Sequence, residues 1–313
     1  MINFSKRPPS VSVVMPVFNG GQYLSEAINS ILNQTFQDFE FIVIDDGSTD
    51  QTDEILHRLK ERKIKLVRNP SNIGNYASRN IGMKLARGRY ICVMDADDVA
   101  FPHRLHRQFA HMELNPDIGI CGSFIQVIPN GGVPNFVTNE DLLKVVFLSN
   151  NYCSHPSLIL RKEFLSRFDL SYNEEYYYSA DFDLCARGFQ HFRVQNIPDV
   201  LLQYRRHATQ ISTAKFAEQQ QFADTIRINQ LVDKMGFNLE EIPLEIHLQL
   251  MKKHTIQQEF QAQAKNWLNT LIEKNNECKQ FNEPSLSGFL KQQLSVCMNL
   301  NNHTELPKNK ILT

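Results

Sequence analysis

The chain has 313 residues, with 33 Lys+Arg against 34 Asp+Glu, so its formal net charge is −1. Near-balanced charge argues against a dedicated nucleic-acid binder, which carries a basic surplus, and 42% apolar against 21% charged residues excludes a disordered polyampholyte. No stretch approaches the ~18 consecutive apolar residues of a membrane span, and no apolar segment follows Lys6 and Arg7, so no secretory signal is expected. The six cysteines (Cys92, Cys121, Cys153, Cys185, Cys278, Cys297) form no C-x-x-C pair. Structural zinc and a disulfide framework are therefore not expected; buried thiols in a reducing, cytoplasmic setting are.

The first predicted element is a short β-rich run, residues 11–15, stopped by Pro16 and the turn-prone Asn19-Gly20-Gly21. Leu24, Ala27, Ile28, Ile31 and Leu32 then fall on one helix face. A second apolar run, 39–44, ends in Asp45-Asp46-Gly47-Ser48, and Ser48 with Gln51 reads as a capping box for the helix through Leu59. A third strand is predicted over 64–67, a third helix over 77–86, and a fourth strand over 90–94 that ends in Asp95-Ala96-Asp97-Asp98. This alternation predicts a mostly parallel sheet with helices on both faces. The continuously apolar strands fit that architecture. In such sheets ligands sit beyond the carboxyl ends of the strands. Three polar loops, 16–21, 45–50 and 95–98, converge there.

Further on the pattern loosens. Strands are predicted over 118–128, 158–160 and 200–204, and helices over 141–148 and 181–190. Beyond about 213, Gln, Asn and Lys rise and helical periodicity dominates, which predicts a helical C-terminal appendage over 213–313 broken near Gly236 and Asn275-Asn276. The expected division is an α/β domain over 1–212, with a regular half at about 10–115 and a looser half at about 116–212.

The sharpest chemical feature is Asp95-Ala96-Asp97-Asp98. Carboxylates two apart at a strand end offer hard oxygen ligands to a divalent cation, without which they repel. Alternatively Asp98 is a helix N-cap, or the first Asp is a phosphatase-type nucleophile; the latter normally follows the first strand of its sheet, not the fourth. Asp45-Asp46-Gly47-Ser48 alone is an ordinary turn, given weight by its position beside the other two loops. Neither a P-loop nor a G-x-G-x-x-G fingerprint is present.

The run VSVVMPVFNGGQYLSEAINSILNQTFQDFEFIVIDDGSTDQT, then NIGNYASRNIGMKLARGRYICVMDADD, resembles the inverting nucleotide-sugar glycosyltransferases of family 2. SHPSLILRKEF (154–164), SADFDL (179–184) and YRRHATQIS (204–212) extend the match more sparsely. Within the family the chain is similar to bacterial lipooligosaccharide and capsule transferases of the β-1,3-N-acetylglucosaminyl and galactosyl type. The resemblance implies a GT-A fold binding a nucleoside-diphosphate sugar. Carried over by residue, Pro16, Val17, Phe18 and Asn19 cradle the nucleoside and Asp46 accepts from the uracil N3–H. Arg79 approaches the base or phosphates, Asp95 contacts the ribose, and His207 with Arg205 or Arg206 closes over the phosphates. Asp97 binds Mn²⁺ or Mg²⁺, with Asp98 in support. A divalent cation suits this role because the leaving diphosphate develops negative charge.

Inversion requires a base that deprotonates the acceptor hydroxyl. The resemblance assigns this to Asp181, with Asp183 structural; blandly read, both are acids favoured by a helix N-terminus. Ala180 stands where the family usually has an acid. Tyr172, Tyr176, Tyr177 and Tyr178 either stack on sugar rings or pack a loop, and His155 either meets the acceptor or orders its own loop. Lys252, Lys253, His254 and the terminal Lys308, Lys310, Ile311 and Leu312 fit a basic face that rests on a membrane, meets a second copy or is simply solvated. The implied function is metal-dependent transfer of a hexose or N-acetylhexosamine from a UDP-sugar to a glycan or lipid-linked acceptor. The alternatives are a non-catalytic sugar-nucleotide or glycan-binding subunit and a nucleotidyltransferase; the first loop, VFNGGQYL, lacks the basic residue that the latter wants.

Overall fold

Residues 7–298, apart from positions 60, 135 and 209, are described by a computed structural model. Strands β1 (Val11–Val17) and β2 (Phe39–Asp45) are buried at every position, as continuous apolar runs covered on both faces must be. Between them α1 (Leu24–Leu32) buries Leu24, Ala27, Ile28 and Ile31. Next come α2 (Thr52–Arg58), β3 (Ile64–Arg68), α3 (Asn75–Leu85), β4 (Tyr90–Val93), the two-residue β5 (Val99–Ala100) and α4 (Arg104–Leu114). The chain continues through β6 (Ile118–Ile128), α5 (Glu140–Val146), β7 (Ile159–Arg161), α6 (Lys162–Arg167), α7 (Ala180–Gly188), β8 (Arg193–Arg205) and α8 (Ile211–Ala214). Helices α9 (Phe216–Met235), α10 (Leu244–Lys252), α11 (Gln261–Cys278) and α12 (Glu283–Cys297) close the sequence of elements.

The strands form one sheet in the order β3-β2-β1-β4-β7-β6-β8-β5. β3, β2, β1 and β4 are mutually parallel, as the βαβ spacing requires, whereas β7 runs antiparallel to β4 and β6. The sheet is thus parallel only over its first half and mixed beyond it. The last strand is much longer than the predicted 200–204: it spans thirteen residues and runs parallel to β6, across a register shift that skips Pro198. The core under the sheet is built from Val11, Val13, Met15, Phe41, Val43 and Cys92 with Leu24, Ile28 and Ile31.

The chain divides into two units. One comprises the chain up to Phe136 together with Cys153–Ala214; the other comprises Val137–Tyr152 and the chain from Lys215 onward. Within the second unit, α5 packs with α12, and Arg227 and Gln230 of α9 donate to the carbonyls of Ser149 and Phe147 at 2.6 and 2.8 Å. Residues 137–152, which the sequence reading gives to the second half of the 1–212 domain, therefore group with the helices after 215. Gly236 ends α9 in the left-handed region (φ 70°), as predicted. Asn275 does not break α11: it is buried, and its amide group exchanges hydrogen bonds with the backbone of Phe281, anchoring the chain after the helix end. Among the described residues no helix is long and apolar enough to cross a membrane. Lys308, Lys310, Ile311 and Leu312 lie outside the described residues.

Candidate active site

The parallel register opposes Val17 of β1 to Asp45 of β2 and Val14 of β1 to Val93 of β4, so three loops leave the sheet on one edge. The first two are laced together. Asn19 (φ 51°) donates its backbone N–H to Ser48 Oγ at 3.0 Å and accepts from the Thr49 N–H at 2.9 Å. The N–H groups of Gly20 and Gly21 reach Thr52 Oγ1 and Asp50 Oδ2 at 2.9 and 3.1 Å. These bonds replace the predicted capping box. Ser48 Oγ serves Asn19, and α2 starts at Thr52, whose N–H is accepted by Asp50. Pro16 and Val17 are the buried end of β1, while Phe18 is 47% exposed beside the laced loop.

Asp46 is buried and accepts three hydrogen bonds, from Asn69 Nδ2 at 2.8 Å and from the Ile73 and Gly74 N–H groups at 3.0 and 2.9 Å. A carboxylate with about four acceptor positions keeps room for one further donor. Two glycines make this fit possible. Gly47 has φ +73°, and a Cβ there would stand 2.7 Å from the Ser71 backbone; Gly74 has φ +100°, with the half-exposed Tyr177 ring filling the place of its Cβ.

Beyond β4 the carboxylates of Asp95, Asp97 and Asp98 offer oxygens within 4.8 Å of one another. Each is held differently. Asp95 Oδ1 pairs with Arg79 Nη2 at 2.5 Å. Asp97 Oδ2 meets His207 Nε2 at 2.9 Å. Asp98 Oδ1 accepts the Arg205 N–H at 2.8 Å, while its buried Oδ2 has no partner. Asp98 is therefore no helix cap: β5 follows it, and α4 begins only at Arg104. Burial, then the Asp95 charge, pushes Asp97 above the usual carboxylate range against the pull of His207. Burial with Asp97 and Asp95 pushes Asp98 well above it. Three crowded carboxylates and an orphaned oxygen are the donor set of a divalent-cation site, so the residues fit Mn²⁺ or Mg²⁺.

Arg79 is fully buried. Besides Asp95 it donates to the Met94 carbonyl at 3.2 Å and to Asn75 Oδ1 at 3.3 Å, while its buried Nε has no hydrogen-bond partner among the described residues. Arg205 is likewise occupied, by the Asp97 carbonyl at 2.8 Å, Glu26 at 2.5 Å and the Tyr23 ring 4.5 Å away. Arg206 is exposed.

Asp181 sits in the first turn of α7 and accepts the Tyr76 hydroxyl on Oδ1 at 2.7 Å. Asp183 is salt-bridged to Arg187 one turn on at 2.6 Å, a structural task. Ala180 is fully buried. Tyr172 is buried too, stacked on Tyr76 (centroids 5.1 Å apart) and bonded through its hydroxyl to His155 Nε2 at 2.9 Å, so it is core rather than a sugar platform. Burial and the Arg79 charge push His155 down to about 4, which leaves it neutral at pH 7. Sequence reasoning missed Tyr76, Asn69 and Asn80. Asn80 pins Tyr172 by exchanging bonds with its backbone at 2.9 and 3.1 Å. The available signal was a helix whose polar residues 76, 79 and 80 share one face.

A parallel half-sheet with a carboxylate cluster at its loop edge places a ligand site beyond the carboxyl ends of the strands. Residues 12–169 match the model of glycosyl transferase family 2. A glycosyltransferase of Haemophilus influenzae is 31% identical over 251 residues, covering 75% of this chain and 78% of that one. The chain belongs to glycosyl transferase family 2. It is also similar to WfgD of Escherichia coli, a UDP-Glc:α-D-GlcNAc-diphosphoundecaprenol β-1,3-glucosyltransferase, at 28% identity over 66% of this chain and 81% of that one. Its fold is that of TarS 1–349 from S. aureus, solved in complex with UDP (TM-score 0.56, 20% identity, 96% and 94% of the two chains). That is the GT-A fold.

Proposed function

We propose that the chain is an inverting, metal-dependent transferase that moves a hexose or N-acetylhexosamine from a UDP-sugar to a glycan hydroxyl. We further assign the acceptor to lipid-linked oligosaccharide of bacterial surface polysaccharide assembly, at the inner face of the cytoplasmic membrane. The observation that carries this reading is the shared support of the two acidic groups. Tyr76 holds Asp181 and Arg79 holds Asp95, and residues three apart on α3 are neighbours on its surface. A base candidate thus stands one helical turn from the donor carboxylates. UDP as the nucleotide is supported by the UDP-Glc donor of WfgD and by the UDP complex of TarS. The undecaprenol-linked acceptor of WfgD supports the acceptor class.

In this reading Asp46 takes the base N3–H on its remaining acceptor position, and Pro16–Asn19 wall the nucleoside. Asp95, fixed by Arg79, receives the ribose. Asp97 with Asp98 holds the divalent cation, which when bound supplies positive charge against the leaving diphosphate. His207, already on Asp97, lies beside the phosphates. Asp181 accepts the proton of the attacking acceptor hydroxyl while the bond between anomeric carbon and phosphate oxygen breaks on the opposite face. The alternative of a non-catalytic binder is disfavoured because Asp97 and Asp181 are both kept in hydrogen-bonded order.

The test is nucleotide release from a panel of UDP-, GDP-, CMP- and dTDP-sugars with and without Mn²⁺. Manganese-dependent release of UDP from one donor is expected and names the sugar. If no donor is turned over, calorimetry with UDP and Mn²⁺ decides, and absence of binding sinks the reading.

A further inference from the structure

Helix α3 turns an unusual set of polar side chains inward: Tyr76, Ser78, Arg79 and Asn80 are all buried. Two of them end on acids of the candidate site and a third, Asn80, locks the chain around Tyr172. Tyr76 is the one that reaches Asp181. Its ring is clamped between Tyr172, stacked at 27°, and the edge of His155 with centroids 5.9 Å apart, while His155 and Tyr172 are bonded to each other. The phenol therefore cannot swing away without unpacking three rings. Its hydroxyl bond to a carboxylate is short, as charge-assisted bonds are.

We infer that Tyr76 is a positioning residue for Asp181: its clamped hydroxyl holds Oδ1 and so helps to set the plane of the carboxylate that takes the acceptor proton. The inference rests on the assignment of Asp181 as the base. Burial and the Asp181 charge push the Tyr76 phenol well above its ordinary range, so it stays a donor at every working pH. A carboxylate that loses this hold sits less often in line with the acceptor hydroxyl, and misplacement of this kind lowers the rate rather than donor binding. Tyr76, Tyr172, His155 and, one turn along α7, Cys185 are among the groups that feel the Asp181 charge, and the Arg79 charge acts on Tyr76, Tyr172 and His155 as well.

The experiment compares Tyr76→Phe, Tyr172→Phe, Asp181→Asn and the double variant Tyr76→Phe/Asp181→Asn in full-length protein, with the donor that the panel identifies. Tyr76→Phe keeps the stacked ring. It is expected to lower kcat about tenfold, from loss of one hydrogen bond to a charged group, with UDP affinity unchanged. Tyr172→Phe deletes a hydroxyl of the same cluster, one that bonds His155, and should lower kcat less than Tyr76→Phe does. In the Asp181→Asn background, Tyr76→Phe should have no further effect. An unchanged kcat in Tyr76→Phe, or an equal loss in Tyr172→Phe, overturns the inference while leaving the base assignment standing. Wild-type transfer by Asp181→Asn instead overturns the base assignment itself.

Discussion

In the proposed function, two acids of the site separate binding from chemistry. Asp97 is bound by His207 and crowded by Asp95, and Asp181 is held by Tyr76 on another element. Asp97→Ala should therefore abolish the manganese dependence of UDP binding in calorimetry, and unchanged dependence would move the cation elsewhere. Asp181→Asn should reduce transfer by at least a hundredfold, the lower range for a positioned base, with UDP binding intact; equal loss of both would refute its role. A third residue carries a prediction about stability. His247 of α10 is fully buried, and its Nδ1 accepts the Trp267 indole N–H at 3.3 Å. Burial, reinforced by the Arg227 charge, lowers it from 6.5 to about 3. The unfolded chain binds this proton below 6.5 and the folded chain does not until about 3, so the contribution is complete above pH 6.5 and is lost as the pH falls. The loss is about 1.4 kcal/mol per pH unit across that window. His247→Gln, which keeps an acceptor for the indole, should show a shallower drop in denaturant midpoint between pH 7 and 4.5 than the wild type.

At the scale of elements, the loops after β1 and β2 act as one body because their mutual hydrogen bonds leave little slack. At Gly47 a side chain would meet the Ser71 backbone in a left-handed conformation. Gly47→Ala is expected to cost on the order of 1–3 kcal/mol in thermal or urea unfolding, from strain at a special φ and the steric shift, and to weaken UDP binding because Asp46 adjoins it. A variant with wild-type stability would show that the 69–74 segment yields freely. The loops were readable because each is a contiguous string, Asp45-Asp46-Gly47-Ser48 or Asp95-Ala96-Asp97-Asp98, at the end of an unmistakable apolar run. What failed to be readable has distant partners. Ser48 looks like a cap for its own helix, yet its hydroxyl is used by Asn19, 29 positions away. Arg79 looks like a ligand-facing cation until Asp95 and the Met94 carbonyl are seen to enclose it. Tyr76 reads as a plain helix residue because Asp181 lies 105 positions on. Sequence spacing reports local geometry, and these contacts are set by the sheet.

At the scale of the molecule, the chain enters the helical unit twice, first for Val137–Tyr152 and again after Lys215. Composition changes visibly only at the second entry, so a boundary near 212 is the natural one to draw from sequence. The packing of α5 gives that boundary a testable consequence. Leu143, Val145, Val146, Phe147 and Leu148 are all buried, each such burial being worth roughly 1.5–3 kcal/mol. The carbonyls of Phe147 and Ser149 take their donors from α9, and α5 rests on α12. A chain ended at Ala214 strips this segment of its own unit's helices, exposing apolar side chains and orphaning two buried carbonyls. Expressed as residues 1–214, the protein should aggregate or elute as a heterogeneous species in size-exclusion chromatography, whereas a chain ended at residue 298 should stay monodisperse. If 1–214 is folded and monodisperse, the 137–152 segment does not need those helices, and the unit that carries the candidate site is separable where the composition changes.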